Sequence, residues 1–168
     1  MEIGLAVGTD GPAIRTVHTK TWAATYADLL PPRFYEQRLL AHQRRDWRQL
    51  VEAQRRDGGG VLVARDASGI LTGFCQYGVT EDDDDDPADV GQIHRLYVLP
   101  GYQRRNVGRT LIAHALTAIR TLAMNSATLW VLETDPRAIR FYEATGWIAD
   151  GARRFDGAAD VRYRHQLA

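Results

Sequence analysis

The segment at residues 98–109, Val-Leu-Pro-Gly-Tyr-Gln-Arg-Arg-Asn-Val-Gly-Arg, holds the residue types best suited to binding chemistry in this chain. It follows an apolar run at residues 93–99 and leads into a long amphipathic pattern, an order typical of a strand, a turn and a helix start. Free backbone N–H groups and the positive end of the dipole bind anions at such a helix start. The side chains of Arg104, Arg105 and Arg109 favour phosphate as that anion.

The elements that position this segment are predicted from apolar periodicity and turn residues. From the N-terminus they are a strand at 2–7, a helix to about 28, a second helix to about 56, strands at 61–64, 70–80 and 90–99, a helix from 107, a strand at 128–132, a helix at 136–145 and a terminal hairpin. The strands before and after the long helix are expected to run parallel, because such crossovers are right-handed. The prediction is an α/β (α+β) fold in a single domain, 1–168.

Composition limits the classes of protein that this chain can represent. Its 168 residues are 45% hydrophobic and 25% charged with zero net charge, so no basic field predicts a nucleic-acid partner. The single cysteine, Cys75, lies in a predicted strand and is expected to be a buried structural thiol, and no metal site is predicted. No apolar run reaches membrane length and no leader pattern begins the chain, which predicts a cytoplasmic protein without a membrane partner.

An acidic run, Glu81 followed by five aspartates at 82–86, is the strongest local charge feature. Like charges in sequence repel, so the run is expected to form a solvated loop. A second interpretation is that its carboxylates attract a cationic amine.

Two spaced motifs show that the whole chain resembles the GNAT family of acetyl-CoA-dependent N-acetyltransferases, most strongly between residues 93 and 147. The segment Gln-Arg-Arg-Asn-Val-Gly at 103–108 is similar to the family's Gln/Arg-x-x-Gly-x-Gly/Ala signature. The segment 135–147, with its Phe-Tyr pair and Gly-Trp ending, resembles a second family motif, and residues 22–31 look like a common bacterial subgroup.

The resemblance implies the GNAT acyl-CoA N-acyltransferase fold, a mixed central sheet of six to seven strands with about four helices. It also implies direct transfer of an acetyl group from acetyl-CoA to a primary amine of a small molecule or peptide, and it is compatible with a homodimer. Two rivals stay open: an acyl-CoA-binding sensor or pseudoenzyme with little turnover, and a protein that binds another phosphorylated ligand.

The resemblance assigns acetyl-CoA to the loop and to the strand before it. Backbone groups of that strand would hold the acetyl and pantetheine portion where it splays from its parallel neighbour, and the N–H groups of 104–109 would hold the pyrophosphate. The alternative is an ordinary strand–turn–helix unit with solvated arginines. The implied cofactor residues are Tyr97, Val98, Leu99, Gln103, Arg104, Arg105, Asn106, Val107, Gly108, Arg109, Thr110 and Asp135.

Two residues depart from the family pattern. Asn106 stands where the family has glycine, and asparagine is the other residue that best tolerates left-handed geometry and can cap a helix. A cost of about 1 kcal/mol predicts weaker cofactor affinity without loss of binding. Asp135 replaces the family's asparagine, which is expected to alter a hydrogen bond near the pantetheine arm or the acceptor.

Tyr142 is the predicted general acid, because it occupies the position of the family's tyrosine and a phenol suits protonation of a thiolate. The alternative is a core tyrosine with a satisfied hydroxyl. The family's carboxylate base has Gln92 at its position, which cannot act as a base. His94 is the first candidate, expected on the same strand face two residues on, with Glu81, Glu133 or a water chain as alternatives.

The predicted acceptor-binding residues are Trp22, Tyr26 and Glu81. The first two, together with Phe34, belong to helices that flank the acceptor in the family, and each is equally compatible with core packing. Glu81 begins the acidic run.

Overall fold

The computed structural model describes residues 1–167, which form one seven-stranded sheet covered by five helices. The strands are β1 (Glu2–Leu5), β2 (Gly60–Arg65), β3 (Leu71–Val79), β4 (Val90–Val98), β5 (Ser126–Leu132), β6 (Ile148–Phe155) and β7 (Ala159–Gln166). The helices are α1 (Gly11–Tyr26), α2 (Pro32–Arg44), α3 (Trp47–Arg56), α4 (Val107–Thr121) and α5 (Pro136–Glu143). The strand order is β1-β2-β3-β4-β5-β7-β6. No helix within this range has the length and apolar character needed to cross a membrane.

The second predicted helix, expected to continue to about residue 56, is wrong as a single element, because the chain forms two helices there, α2 and α3. Arg45 is extended, with ψ of 128°, and Asp46 caps α3 by accepting a hydrogen bond from the Gln49 N–H at 3.1 Å. The break turns Trp47 inward, where it is fully buried, while Leu40 stays exposed. The apolar spacing that suggested one stripe therefore belongs to two helix faces, and the aspartate signals the boundary.

The two faces of the sheet carry separate cores. One core packs α4 against the central strands and contains Leu111, Ile119 and the fully buried Cys75. The other packs α1 and α3 against β2 and β3 and contains Trp47 and Phe74. Because successive strand residues point to opposite faces, each strand contributes to both cores.

The parallel pairing predicted for the crossover is confirmed, and it is short. Only residues 90–93 of β4 pair with 126–129 of β5. At this point the register of β4 against β3 passes from Tyr77↔Ile93 to Gln76↔Arg95, so His94 is an extra, bulged residue. A bulge bends its strand, and the carboxyl-terminal half of β4 diverges from β5.

The segment at 82–86 is a loop, as predicted, and Asp83, Asp84 and Asp86 are exposed, but Asp82 and Asp85 are half-buried. The Arg162 guanidinium, whose side chain is only 6% exposed, lies within 3.3 Å of carboxylate oxygens of Asp82, Asp84, Asp85 and Asp150. Buried charges persist when they are paired and hydrogen-bonded. The repulsion within the run is offset by an arginine about eighty residues away in sequence.

A second arginine and a tryptophan complete this acidic clamp. Arg164 donates to both carboxylate oxygens of Asp85 at 2.8 and 2.9 Å, and Trp130 Nε1 donates to Asp82 at 2.9 Å. Asp82, Asp84 and Asp85 thus fix the terminal hairpin and a β5 side chain rather than remaining free to attract an amine.

Candidate functional site

The start of α4 presents free backbone donors, as the sequence predicts. The first intrahelical bond runs from the Thr110 N–H to the Asn106 carbonyl at 2.9 Å. The N–H groups of Val107, Gly108 and Arg109 come before that bond and have no partner within the helix. They point outward from the positive end of the helix dipole, which is the geometry of an anion site.

Left-handed backbone shapes the loop at two positions. Arg104 has φ of 59° and Asn106 has φ of 63°. The Asn106 side chain makes no capping hydrogen bond, so the role of this residue is conformational. Because the fold itself holds Asn106 left-handed, the strain belongs to the folding free energy rather than to cofactor binding. Asn106 is therefore expected to lower the stability of the protein rather than its affinity for the cofactor.

A cavity of about 590 Å³ extends from the α4 start to the α1 side of the sheet. It passes through the gap between β4 and β5, with α5 along one wall. Its lining includes most of the predicted cofactor residues: Tyr97, Val98, Gln103, Arg104, Asn106, Val107, Gly108, Arg109 and Asp135. It also includes Tyr142 and Tyr26. A volume of this size fits the range for ligand pockets.

The edge of β4 in this gap has unpaired backbone. The Leu99 N–H donates to Thr72 in β3 at 2.9 Å. Because N–H groups of successive strand residues point to opposite edges, the Val98 N–H faces the gap. The Val98 carbonyl faces it too and accepts from Gln103 Nε2 at 3.1 Å. Of the three backbone positions predicted for the acetyl and pantetheine portion, Val98 is therefore the one whose N–H is directed there.

A second, shallower pocket of about 740 Å³ adjoins the cavity mouth and is strongly cationic. Arg104, Arg105 and Arg137 line it, and Arg137 donates to Gln103 Oε1 at 3.0 Å. Arg105 also lies over the Tyr102 ring at 5.7 Å. The predicted Thr110 lies outside both linings, and its hydroxyl donates to the Asn106 carbonyl at 3.0 Å.

Tyr142 projects from α5 into the cavity and packs edge-on against Phe141 and Trp147. Burial raises the pKa of its phenol above the usual value, so the hydroxyl keeps its proton at neutral pH. Asp135 begins α5 by accepting from the N–H groups of Arg137 and Ala138 at 3.1 and 3.0 Å. The departure to aspartate thus serves as a helix cap beside the cavity.

The acceptor residues predicted on α1 separate into two groups. Tyr26 lines the cavity together with Thr21 and Thr25, which the sequence analysis missed. Trp22 does not; it is buried and packs against Tyr26 at 5.2 Å and Tyr35 at 5.1 Å. Its position supports the core-packing interpretation.

His94 and Glu81 lie together but outside the cavity lining. His94 Nδ1 is 3.9 Å from a Glu81 carboxylate oxygen. Burial lowers the pKa of His94, an effect that Glu81 opposes, which favours a neutral imidazole. Gln92 reaches the same segment, since its Oε1 accepts from the Glu81 N–H at 3.1 Å. The third alternative base, Glu133, is paired with Arg153 at 2.6 Å.

Further cavity residues come from α5 and the central strands. Arg137, Arg140 and Phe141 are spaced at three and four residues on α5, and Leu96 and Trp130 come from β4 and β5. The helical spacing of the two arginines was visible in the sequence. The strand residues had no such signal, because their exposure depends on where β4 and β5 diverge.

These features match those of known proteins. The acetyltransferase (GNAT) family model matches residues 21–147. The chain therefore belongs to the GNAT acetyltransferase family, and the N-acetyltransferase function and the acetyl-CoA cosubstrate predicted from the sequence are confirmed at that level.

Curated relatives agree with this membership. The chain is 28% identical over 131 residues to the uncharacterized N-acetyltransferase YuaI of Bacillus subtilis, covering 78% of this chain and 70% of YuaI. It is 33% identical over 91 residues to the mycothiol acetyltransferase of Propionibacterium freudenreichii, covering 54% of this chain and 28% of that protein.

Solved structures show the same fold. The PaiA N-acetyltransferase of Thermoplasma acidophilum in complex with coenzyme A superposes with a TM-score of 0.81 at 20% identity, covering 98% of each chain. The ribosomal-protein-alanine N-acetyltransferase of Brucella melitensis gives 0.76 at 19% identity, covering 99% of this chain and all of the other. The predicted fold class is thereby confirmed, with seven strands and five helices.

Proposed function

We propose that the protein transfers an acetyl group from acetyl-CoA directly to a primary amine bound in the same cavity. The observation that carries this proposal is the continuity of the cavity. It joins the free N–H groups at the start of α4, the open edge of β4 and the aromatic wall of Tyr26 and Trp130. A donor and an acceptor held side by side in one such cavity are positioned for direct transfer, because proximity replaces a bimolecular encounter.

The cofactor would follow the cavity from its cationic mouth inward. The pyrophosphate would take the N–H groups at 107–109 with Arg104 and Arg109 beside them, and the adjoining pocket of Arg105 and Arg137 would take further phosphate charge. Coenzyme A in the PaiA N-acetyltransferase named above supports this assignment. The pantetheine would run along β4, with the Val98 N–H donating to the thioester carbonyl oxygen.

The chemistry then needs two proton transfers. The amine nitrogen attacks the carbonyl carbon, the C–S bond breaks, and the Tyr142 hydroxyl donates its proton to the departing thiolate. The amine proton would leave toward His94, the predicted base, whose imidazole is neutral. Since His94 lies outside the cavity lining, this proton would travel through an intermediate carrier such as water.

Calorimetry with acetyl-CoA tests the cofactor assignment, and thiol release across a panel of amines tests the transfer. We expect micromolar to submillimolar binding; no heat at millimolar acetyl-CoA would contradict the proposal.

On an amine that turns over, Tyr142→Phe should lower kcat about 100-fold or more at neutral pH. Tyr163→Phe is the matched control, because that hydroxyl lies outside the cavity lining and donates to the exposed Glu143 carboxylate at 3.0 Å. Equal rates for wild type and Tyr142→Phe would remove the acid assignment.

One observation favours the acyl-CoA sensor as a second candidate function. Neither His94 nor Glu81 reaches the cavity, so no base predicted from the sequence touches an acceptor directly. Tight acetyl-CoA binding with no thiol release above the hydrolysis background for any amine would support the sensor. The single-domain boundaries, the cytoplasmic location and the homodimer stay predictions.

A further inference from the structure

A group of buried nitrogen atoms without partners lies behind the cavity wall, on the α1 and α2 side of the sheet. His18 is fully buried, and within residues 1–167 neither of its ring nitrogens has a hydrogen-bond partner. The His42 ring lies 4.3 Å away, and its Nδ1 is also without a partner. Buried polar groups are normally hydrogen-bonded, so an unmatched group of this kind calls for an explanation.

Two arginines add positive charge to the same place. Arg45 follows α2 and Arg95 lies on β4; each acts electrostatically on both histidines and on the other arginine. Among the described residues neither arginine is within ion-pair distance of a carboxylate. Arg95 donates instead to the neutral Gln76 Oε1 at 2.5 Å, and the Arg45 Nε is buried without a partner.

The charge environment of Arg45 and Arg95 differs from that of Arg162, which is more deeply buried. Arg162 is surrounded by four aspartates, as described above. Among residues 1–167, Glu81 is the carboxylate that acts on Arg95, from beyond ion-pair distance, and none acts on Arg45. A partly buried pair of like charges is costly unless an anion compensates it.

The cationic group is connected with the cavity through one side chain. The His18 ring lies 4.8 Å from the Tyr97 ring, and Tyr97 lines the cavity. Arg95 precedes Tyr97 by two residues, on the same face of β4. Arg45 and Arg95 are half-buried and lie behind the cavity lining, so a ligand bound beside Tyr97 would have to extend past that ring to meet their guanidinium groups.

We propose that the acceptor amine also carries an anionic group, a carboxylate or a phosphonate-like oxyanion, and that Arg45 and Arg95 bind it. The proposal rests on the proposed transferase function and names the substrate class. Guanidinium groups match carboxylate geometry with two parallel hydrogen bonds, and the histidine nitrogens supply further donors or acceptors. Amino acids and related amino acid analogues fit this description; polyamines and aminoglycosides do not.

The experiment uses pairs of amines that differ only in the anion. The probes are glycine, β-alanine, γ-aminobutyrate, L-glutamate and aminomethylphosphonate, each with its uncharged amide or ester. Thiol release with acetyl-CoA gives kcat/KM, and calorimetry of the protein saturated with coenzyme A gives binding without turnover. We expect at least one anionic probe to exceed its uncharged partner at least tenfold in one of the two measurements.

Three variants test whether these arginines are the cause. Arg45→Gln and Arg95→Gln should each reduce the preference for the anionic probe by tenfold or more and leave acetyl-CoA affinity within twofold of wild type. Arg95→Lys should recover part of the preference because it keeps the charge. Arg44→Gln, an exposed neighbour at the end of α2, is the matched control and should change nothing.

The outcomes separate the two proposals. Failure of acetyl-CoA to bind overturns the proposed function. Acetyl-CoA binding combined with equal or better use of the uncharged probes overturns the anionic acceptor, as does the lack of binding by any anionic probe. A preference for anions that survives both glutamine variants overturns the assignment to Arg45 and Arg95.

Discussion

Acid sensitivity centred on His18 is the prediction that the structure supports most quantitatively. Burial, followed by the positive charge of the neighbouring His42, Arg95 and Arg45, lowers the pKa of His18 from 6.5 to about 2. As the pH falls through 6.5, His18 therefore binds a proton in the unfolded chain but stays neutral in the folded protein. Because the unfolded state holds more protons below pH 6.5, stability is present above that pH and is lost as the pH falls.

The size of the loss follows from the width of the pKa window. Each pH unit below 6.5 lowers the free energy of unfolding by about 1.36 kcal/mol for each proton that only the unfolded state binds. His18 alone therefore lowers it by about 2.7 kcal/mol at pH 4.5. Burial and then the charges of Arg45, Arg95 and Arg38 lower the pKa of His42 to about 4, and its contribution to the loss is reduced by solvent screening because the ring is only partly buried. Against a typical total of about 5–15 kcal/mol, this loss is large.

Urea unfolding followed by circular dichroism at pH values from 7.5 to 4.5 measures the loss. His18→Phe keeps an aromatic ring among Trp47, Phe74 and Tyr97 but removes the titrating nitrogens. Its unfolding free energy should depend on pH less steeply than that of wild type, by about one proton. His114→Gln, on the exposed side of α4, should retain the wild-type slope. If His18→Phe and wild type show the same slope, the reasoning from burial is refuted.

Four further predictions concern the anion loop and the acidic clamp. Gly108→Ala should fold normally, since its Cβ would meet Phe141 no closer than 3.4 Å, yet it should weaken acetyl-CoA binding at least tenfold by crowding the pyrophosphate; unchanged calorimetric affinity would contradict a close backbone approach. Asn106→Ala should lower the unfolding free energy by about 1 kcal/mol in urea titrations, because alanine lacks asparagine's tolerance of φ of 63°. Asn106→Gly should leave acetyl-CoA affinity within twofold of wild type. A clear gain in affinity would show that backbone strain at residue 106 opposes cofactor binding. Arg162→Met should unfold at lower urea because Asp82 and Asp85 lose their buried partner, and a stability equal to wild type would show that the carboxylates find water instead.

The cofactor side of the site was largely predictable because its information is local. A strand, a cationic turn and a helix start are contiguous in sequence, and the free N–H groups at 107–109 follow from helix geometry alone. The left-handed geometry at Asn106 was likewise foreseeable from the residue type. The acceptor side depended on contacts between distant segments, so the sequence left open whether Trp22 lines the site or packs in the core.

The bulge at His94 shows why the predicted base could not be located from periodicity. Alternation along a strand assumes one residue per register position, and an inserted residue cannot be detected in a single sequence. The same bulge marks the point at which β4 leaves β5, so it also shapes the gap for the cofactor. The sequence carried the composition of both strands but not the point where they diverge.

By itself the sequence determined the order of the elements, the crossover, the anion-binding helix start and the acetyltransferase family, since each depends on residues near one another along the chain. Only the tertiary structure decided the partners of its charges. Within residues 1–167 it buried Arg162 among Asp82, Asp84, Asp85 and Asp150, and it left Arg45 and Arg95 outside ion-pair distance of a carboxylate, beside His18 and His42. Charge pairing depends on distance through space, and residues thirty to eighty positions apart come into range only when the sheet and helices have packed.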